Sequence, residues 1–342
     1  MTGSRLLLAF MALFLLVSHP ASAETYDAWL SGYKHRAKAQ GITEATLTSA
    51  FTGVTPSQRV VELDGKQPEK KIGFDEYYAK TLTADRIATG KRLLRENWTT
   101  LKRVEDQYGV QAHYIVALWG IETSFGKNTG GFDLIQALAT LAWEGRRREY
   151  FEVELTKALR ILQGQHVKRA DFKGSWAGAM GQVQFMPSSW FAYAVDDNGD
   201  GHKDIWTTKG DIFASAANYL AKSGWKAGER WGRQVKLSQG FDQRLINSNA
   251  RFALAEWTRL GVRDRNGNAL PTDAGVFATL VRPDGANGKV YLAYNNFHTL
   301  MKWNRSKYFA LSVGMLAEQI GEARPAAHSS SIPNDVQSGY NN

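Results

Sequence analysis

An apolar helical run that carries one carboxylate near its end constrains this chain more than any other feature. The run covers residues 115–126, and Glu122 shares one face of a helix, at i, i+3, i+4 and i+7 spacing, with Ile115, Leu118 and Trp119. A carboxylate in such surroundings is costly to bury unless it is protonated, paired or used in chemistry. Glu122 is therefore either a structural acid paired with an arginine or with backbone amides, or a general acid with a raised pKa.

The first residues predict an export signal. Arg5 precedes an apolar run at 6–17, and residues 21–23 are the small residues that signal cleavage favours, so we expect residues 1–23 to be removed. The run is short for a membrane span, although an uncleaved N-terminal anchor is the alternative. The chain has no cysteine, so no disulfide stabilises it. Export without disulfides indicates a periplasmic protein that depends on a large hydrophobic core.

Composition narrows the class of partner. The chain has 42 Lys and Arg residues against 33 Asp and Glu residues, which gives a formal net charge of +9. A basic exported protein suits an acidic polymer such as cell-wall glycan, or an anionic membrane face. No basic run with interleaved aromatic residues indicates a nucleic-acid surface, so we expect no nucleic-acid partner. We expect a monomer, with no transmembrane helix once the signal is removed.

Patterning along the chain predicts an α+β fold that is predominantly α-helical. Helical spacing dominates 24–60 and 74–162 and returns at 211–223 and 307–320. Between these last two stretches the pattern changes, and two β-like runs at 275–281 and 289–294 flank a Pro-Asp-Gly-Ala-Asn-Gly turn that is typical of a hairpin. We therefore predict a catalytic region at 24–322 and a disordered tail at 323–342. Within the catalytic region we predict a core of about 74–225 plus 297–322, and a β-containing insertion of about 228–296.

A second informative segment covers residues 174–190, with the sequence Gly-Ser-Trp-Ala-Gly-Ala-Met-Gly-Gln-Val-Gln-Phe-Met-Pro-Ser-Ser-Trp. Its three glycines allow backbone to pass close to a ligand or to another element. Ser175, Gln182 and Gln184 place hydrogen-bonding groups among apolar neighbours. The density of these features favours a ligand-binding wall, although each of them also occurs in structural loops.

These two segments carry a family resemblance. Glu-Thr-Ser-Phe-Gly at 122–126, followed by the segment at 174–190, resembles the membrane-bound lytic murein transglycosylase B family over roughly residues 27–322. The resemblance implies a lysozyme-like core that cleaves the MurNAc–GlcNAc bond of peptidoglycan and leaves a 1,6-anhydro-MurNAc end. It implies peptidoglycan strands as the partner and no catalytic cofactor. It also makes Glu122 the single catalytic acid and base.

One acid suffices only if the substrate supplies the other reacting group. Retaining and inverting glycosidases need two carboxylates, about 5–5.5 Å or about 6.5–9.5 Å apart. Asp133 and Glu144 are the candidate second acids, and neither has surroundings like those of Glu122. Glu122 would protonate the glycosidic oxygen, and then take the proton of the C6 hydroxyl as the anhydro ring closes. The alternatives are a hydrolytic muramidase that uses water and a non-catalytic murein-binding protein.

The resemblance further implies five substrate-binding residues: Ser175, Gln184, Tyr77, Tyr219 and Asn304. The serine and the glutamine match cleft positions near the reacting sugar, and the tyrosines match aromatic positions around it. The tyrosines could instead belong to the core, and the asparagine could cap a helix. The chain departs from the family at Trp303 and Phe309, where tyrosines are expected, so those hydroxyl contacts are not expected here.

An Asp- and Asn-rich loop at 196–204 predicts a structural calcium ion. Oxygen ligands fall at loop positions 1, 3, 5 and 9, and Gly201 takes position 6, where a sharp turn is required. Position 12 is Thr207 instead of the usual Glu, and the resemblance supplies a later acid. The predicted ligands are Asp196, Asn198, Asp200, the His202 carbonyl, Asp204 and Asp211. The alternative is a turn without metal, with the last acid as a helix cap.

Overall fold

The structure is a computed structural model that describes residues 24–65, 72–272 and 275–325. The predicted signal at 1–23 lies outside the described residues, and so does the predicted tail from residue 326 onward. Helices dominate the described residues, and the strands are short, which confirms the predicted α+β, predominantly helical class. No helix among the described residues is long and apolar enough to cross a membrane.

The helices before the 174–190 segment form most of the body. They are α1 (Tyr26–Ala39), α2 (Glu44–Phe51), α3 (Gln58–Gly65), α4 (Phe74–Thr81), α5 (Ala84–Glu96), α6 (Trp98–Tyr108), α7 (Ala112–Thr123), α8 (Leu134–Glu144) and α9 (Arg148–Gln163). The later helices are α10 (Pro187–Tyr193), α11 (Lys209–Lys222), α12 (Leu254–Arg259), α13 (Asn295–Trp303) and α14 (Lys307–Gly321).

Helix α7 is the centre of the main core. Its residues 114–119 are all buried, because α5, α6, α11 and α14 pack around it. A helix that is apolar on all sides needs such complete coverage. The helix ends at Ser124 and Phe125, which adopt left-handed backbone conformations with φ of 51° and 62°. The helix therefore ends before Gly126, the last residue of the apolar run.

The strands form two sheets. The larger is antiparallel with the order β4 (Phe252–Ala253), β6 (Phe277–Val281), β7 (Val290–Ala293), β3 (Gly232–Leu237) and β5 (Val262–Asp264). The predicted hairpin is confirmed as β6 and β7, paired from Thr279 opposite Ala293. The smaller sheet pairs β1 (Phe132–Asp133) with β2 (Lys173–Gly174). The larger sheet lies inside the range predicted for the insertion, and the division into core and insertion stays a prediction.

The larger sheet separates two hydrophobic cores. Along β7, Tyr291 and Ala293 face the main helical core, whereas Val290 and Leu292 belong to a second, smaller core beneath α12. This alternation is the two-residue period of a strand that is covered on both faces. The second core includes Trp257, whose side chain is fully buried.

The β6–β7 hairpin also holds the start of α4. Asp284, in the hairpin loop, accepts hydrogen bonds from the backbone N–H of Phe74 at 2.8 and 3.0 Å, and from the Tyr308 hydroxyl. An acidic side chain at a helix N-terminus satisfies a free N–H group and interacts favourably with the helix dipole. The sheet thereby positions α4, which carries Tyr77.

Candidate active site

Glu122 lies in the last turn of α7, and its carboxyl group contacts α13. Trp303 Nε1 donates a hydrogen bond to Glu122 Oε1 at 2.7 Å. Burial raises the pKa of Glu122 to about 7, and the Trp303 hydrogen bond opposes that rise. A carboxyl group with this pKa keeps a substantial protonated fraction at neutral pH, as a general acid must. Among the described residues, none donates to Oε2, so this oxygen is free to carry the reactive proton.

The turn after Glu122 is held by a dense set of contacts. Thr123 Oγ1 donates to the Gln182 carbonyl at 2.8 Å and accepts from the Gly126 N–H at 3.0 Å. The Phe125 ring packs edge-on against Trp119 at 5.5 Å. A non-glycine residue in the left-handed region costs about 1–3 kcal/mol and persists only where its surroundings impose it. These contacts therefore keep the end of α7 rigid.

Two of the predicted substrate-binding residues lie in the framework of the 174–190 segment. Ser175 Oγ accepts from the Ala179 N–H at 3.0 Å, which closes a tight turn. Gln184 has a left-handed backbone with φ of 50°, and its Nε2 donates to the carbonyls of Thr129 at 3.1 Å and Gly181 at 2.9 Å. Gln184 thus ties this segment to the loop that follows Glu122. The predicted substrate roles of both residues stay predictions.

Tyr219 belongs to an aromatic cluster around Trp303. The Tyr219 ring lies 4.6 Å from the Trp303 ring, and the Tyr219 hydroxyl donates to the Lys302 carbonyl at 2.7 Å. Phe185 lies 5.4 Å from Trp303, and Tyr193 lies 4.4 Å from Tyr219. The sequence pointed to Trp303 only as a departure from the family. Its hydrogen bond to Glu122 was missed, because residues 181 positions apart form it.

Tyr77 approaches Glu122 from α4. Burial raises the pKa of Tyr77, and the charge of Glu122 adds to that rise, while Arg86 opposes it. Arg86 was not predicted as a site residue. Its Nη1 donates to the Thr81 carbonyl, and its Nη2 lies 3.4 Å from Ser124 Oγ, so it links the end of α4 to the turn after Glu122.

The fifth predicted residue, Asn304, lies between α13 and α14. It is exposed, and its Oδ1 accepts from the Ser306 N–H at 3.0 Å. Ser306 is the N-cap of α14, so Asn304 orders the residue before that helix and does not itself cap it. A direct contact between Asn304 and substrate stays a prediction.

The two candidate second acids form ion pairs with arginines. Asp133 caps α8 and pairs with Arg169 at 2.6 Å, and Glu144 pairs with Arg146 at 3.1 Å. Burial raises the pKa of Glu122, the Trp303 hydrogen bond opposes that rise, and no other described carboxylate contributes to the shift. The described residues thus place one acid at this site.

The 196–204 loop adopts the predicted curl. Asp196 accepts hydrogen bonds from the N–H groups of Gly199 at 2.8 Å, Asp200 at 3.2 Å and Gly201 at 2.8 Å. Gly199 and Gly201 have φ of 76° and 88°, which only glycine adopts readily. Asn198 Nδ2 donates to Asp200 Oδ2 at 3.0 Å. The first three predicted ligands therefore share one exposed loop.

The two later acids point to backbone instead. Asp204 accepts from the N–H groups of Trp206, Thr207 and Thr208, and the buried Asp211 accepts from those of Asp197 at 2.8 Å and Asp204 at 2.7 Å. In the described part of the chain, no group of three or more His, Cys, Asp or Glu residues is arranged to hold a metal ion. The donor set fits calcium in part, through the first three ligands.

Comparison with known proteins agrees with this geometry. The family model described as "Transglycosylase SLT domain" matches residues 25–318. The membrane-bound lytic murein transglycosylase B of Escherichia coli is 32% identical over 255 residues, which cover 72% of this chain and 67% of that protein. Pseudomonas aeruginosa SltB3 in complex with NAG-anhNAM-pentapeptide has a TM-score of 0.85 at 41% identity, over 88% of this chain and 81% of that one.

A second solved structure of a relative contains calcium. Escherichia coli Slt35 in complex with calcium has a TM-score of 0.74 at 28% identity, over 86% of this chain and 93% of that one. These neighbours share the lysozyme-like core predicted for this chain. Because the family model covers nearly all of the described residues, the match is not confined to the two motifs around Glu122. The chain belongs to the transglycosylase SLT domain family of lytic transglycosylases.

Proposed function

We propose that this protein is a lytic murein transglycosylase, in which Glu122 alone acts first as acid and then as base. The reaction cleaves the β-1,4 bond between MurNAc and GlcNAc and leaves a 1,6-anhydro-MurNAc end. The observation that carries the proposal is the state of Glu122, a carboxyl group with a pKa of about 7 and no second acid beside it.

The geometry of Glu122 suits both proton transfers. Protonated Oε2 donates to the glycosidic oxygen, while the substrate's own N-acetyl group stabilises the positive charge that develops at C1. Trp303 then stabilises the carboxylate that remains, since its indole N–H donates to Oε1. That carboxylate removes the proton of the C6 hydroxyl, and the C6 oxygen bonds to C1. Substrate atoms thus close the ring without water.

The product distinguishes the proposal from its alternatives. Purified sacculi digested with the protein should release muropeptides with anhydro ends, measured by mass spectrometry, and Glu122→Gln should reduce release at least a thousandfold, within the range of general acid catalysis combined with loss of the base. Reducing MurNAc ends would indicate a hydrolytic muramidase. Unchanged release by the variant would remove Glu122 from the chemistry, and no release by either protein would indicate a binding protein.

We also propose that the protein acts in the periplasm as a monomer, after export through the signal at 1–23. The basic net charge of +9 and the absence of cysteine support an exported protein that meets an acidic polymer. Cell fractionation tests the periplasmic location, N-terminal sequencing tests the cleavage of the signal, and light scattering tests the monomeric state. A chain that retains residues 1–23 would contradict cleavage.

We further propose that the 196–204 loop binds a structural calcium ion through Asp196, Asn198, Asp200 and the His202 carbonyl. Asp204 and Asp211 then support the loop through the backbone instead of holding the ion. Calcium at 100 times its dissociation constant should stabilise the fold by about 2.7 kcal/mol. Calorimetry with calcium and with a chelator measures the change in Tm, which Asp200→Asn should diminish. Equal Tm values for the unaltered protein in both conditions would contradict the proposal.

A further inference from the structure

A cavity of about 420 Å³ lies where the β6–α13 face meets the loop at 247–251. Eleven described residues border it, and none of them is Asp or Glu. Arg251 and Lys307 contribute two cations, and Asn247, Ser248 and Asn249 contribute uncharged polar groups. A cavity of this size can hold a small ligand group.

The two cations have no acidic partner among the described residues. Lys307 Nζ donates to Asn247 Oδ1 at 3.0 Å, and the Arg251 guanidinium lies 5.9 Å from the centre of the Phe277 ring. Burial lowers the pKa of His298, which also borders the cavity, and the charge of Arg251 lowers it further. The cavity is therefore electropositive.

Two other cavities contain acidic residues that pair with cations on their walls. One, of about 640 Å³, contains Arg230 and Glu318, which pair with each other. Another, of about 560 Å³, contains Arg324 and Glu105, which pair at 2.7 Å. Both of these cavities have acidic residues on their walls beside the cations, whereas no described acidic residue borders the cavity at Arg251 and Lys307. The cavity at Arg251 and Lys307 leaves its positive charge available to a ligand.

The walls of this cavity are built before any ligand binds. Asn247 has a left-handed backbone with φ of 56°, and its N–H donates to the Leu280 carbonyl at 2.8 Å. Its side chain donates to the Arg282 carbonyl at 2.9 Å and accepts from the Arg282 N–H at 3.1 Å. Thr279 Oγ1 lies 3.1 Å from His298 Nε2 on the opposite wall. A rigid site loses less entropy on binding.

A short piece of chain connects the Glu122 site to this cavity. It runs from Trp303, the last residue of α13, which contacts Glu122, to Lys307, the first residue of α14, which borders the cavity. Four residues of chain span at most about 14 Å, whereas an extended pentapeptide spans about 17 Å. A peptide attached to a MurNAc residue beside Glu122 is long enough to reach Lys307.

We propose that this cavity binds a carboxylate of the stem peptide on the glycan strand that Glu122 cleaves. The inference rests on the proposed function, because only a peptide-bearing murein strand carries such a group to this place. Arg251 and Lys307 then recognise the carboxylate by charge-assisted hydrogen bonds, and the polar loop at 247–249 accepts the peptide's N–H groups. The cavity makes the enzyme selective for strands that retain their stem peptides.

The test uses binding, so that it is independent of cleavage. In the Glu122→Gln background, calorimetry measures Kd for NAG-NAM-pentapeptide and for the same compound with its peptide carboxylates amidated. We expect amidation of the ligand to weaken binding about tenfold, because one hydrogen bond to a charged group is lost. Arg251→Gln and Lys307→Gln should each weaken binding of the native ligand by a similar factor. The variants should have little effect on the amidated ligand.

The glutamine variants keep a hydrogen-bond donor, and thermal melts verify that they fold. Lys236→Gln is the matched control, an exposed lysine on β3 away from the cavity, and it should leave Kd unchanged. Equal affinity for the native and amidated ligands would overturn the proposal. Variants that weaken the binding of both ligands alike would also overturn it. A protein that leaves sacculi uncut but shows the tenfold differences would contradict the proposed function and not the cavity.

Discussion

At the scale of single residues, two opposing effects meet at Glu122. Burial favours the protonated carboxyl group, while the Trp303 indole favours the ionised one. An indole N–H can donate but cannot accept, so it favours the carboxyl oxygen that carries no proton, which is the stronger acceptor. Trp303 at Oε1 therefore directs the proton of Glu122 to Oε2. A tyrosine hydroxyl, expected at this position from the family resemblance, could donate or accept and would not direct the proton in this way.

Trp303→Phe removes the donor and keeps an aromatic ring. Because the hydrogen bond stabilises the ionised form, its loss raises the pKa of Glu122 above about 7. The alkaline limb of the kcat/KM profile should move to higher pH by about one unit, the equivalent of one hydrogen bond to a charged group. Trp303→Tyr, which restores a donor, should move it less. An unmoved limb in the phenylalanine variant would show that Trp303 has no effect on the proton.

Glu122 should also make stability depend on pH. Its pKa is raised from 4.5 to about 7 in the folded chain, so between these values the folded state holds a proton that the unfolded state has lost. The free energy of unfolding therefore falls as pH rises through this window, by about 3 kcal/mol at most, and the loss is complete above it. Glu122→Gln should be more stable than the unaltered protein at pH 8 and equal to it at pH 4, measured by denaturant unfolding. Equal stability at both values would contradict the raised pKa.

The sequence located Glu122 because helical spacing is a local property. It could not reveal the roles of Trp303 or Arg86, since both depend on contacts between elements far apart in the chain. It singled out Ser175 and Gln184 in the 174–190 segment, and the structure shows that their side chains hold that segment together.

At the scale of elements, the loop at 126–131 and the segment at 174–190 depend on each other. Gly130 has φ of 94°, and a Cβ there would lie 2.1 Å from the Gly174 carbonyl oxygen. Gln184 joins the same two stretches through Thr129. The sequence analysis singled out the glycines of the 174–190 segment, but its contact with the loop at 126–131 is a tertiary property that spacing does not encode.

Gly130→Ala should destabilise the protein by about 2 kcal/mol or more, because backbone must move and the left-handed φ is strained for alanine. Gly131→Ala is the control, since a Cβ at Gly131 meets no atom within 4 Å. Thermal and denaturant unfolding measure the difference, and murein cleavage should fall in the first variant alone. Equal behaviour of the two variants would show that the close approach to Gly174 carries no weight.

At the scale of the whole molecule, the two hydrophobic cores predict that the sheet and α12 unfold more easily than the helical body. Helical patterning and the hairpin turn indicated both classes of structure in the sequence. The order of strands β4-β6-β7-β3-β5 was not predictable, because non-neighbouring segments pair. The second core belongs to the sheet and α12 and is much the smaller of the two.

Trp257→Ala should open the sheet before the helical body. The side chain is fully buried and its Nε1 donates to the Ala278 carbonyl at 2.9 Å, so its removal should cost about 3–5 kcal/mol. Hydrogen exchange should accelerate in β3 to β7 with little change in α7. A uniform acceleration that includes α7 would show that the two cores unfold together and would argue against a separable insertion.

The contacts around Glu122 also determine when a newly made chain becomes active. Trp303 follows Glu122 by 181 residues, Asp284 follows Phe74 by 210, and α14 packs against α4, α5 and α7. Contacts of such long range form late in folding and slow it. A nascent chain that ends before α13 holds Glu122 but lacks the indole and the last helix. We therefore expect murein cleavage only after α13 and α14 have been synthesised and have packed beside Glu122.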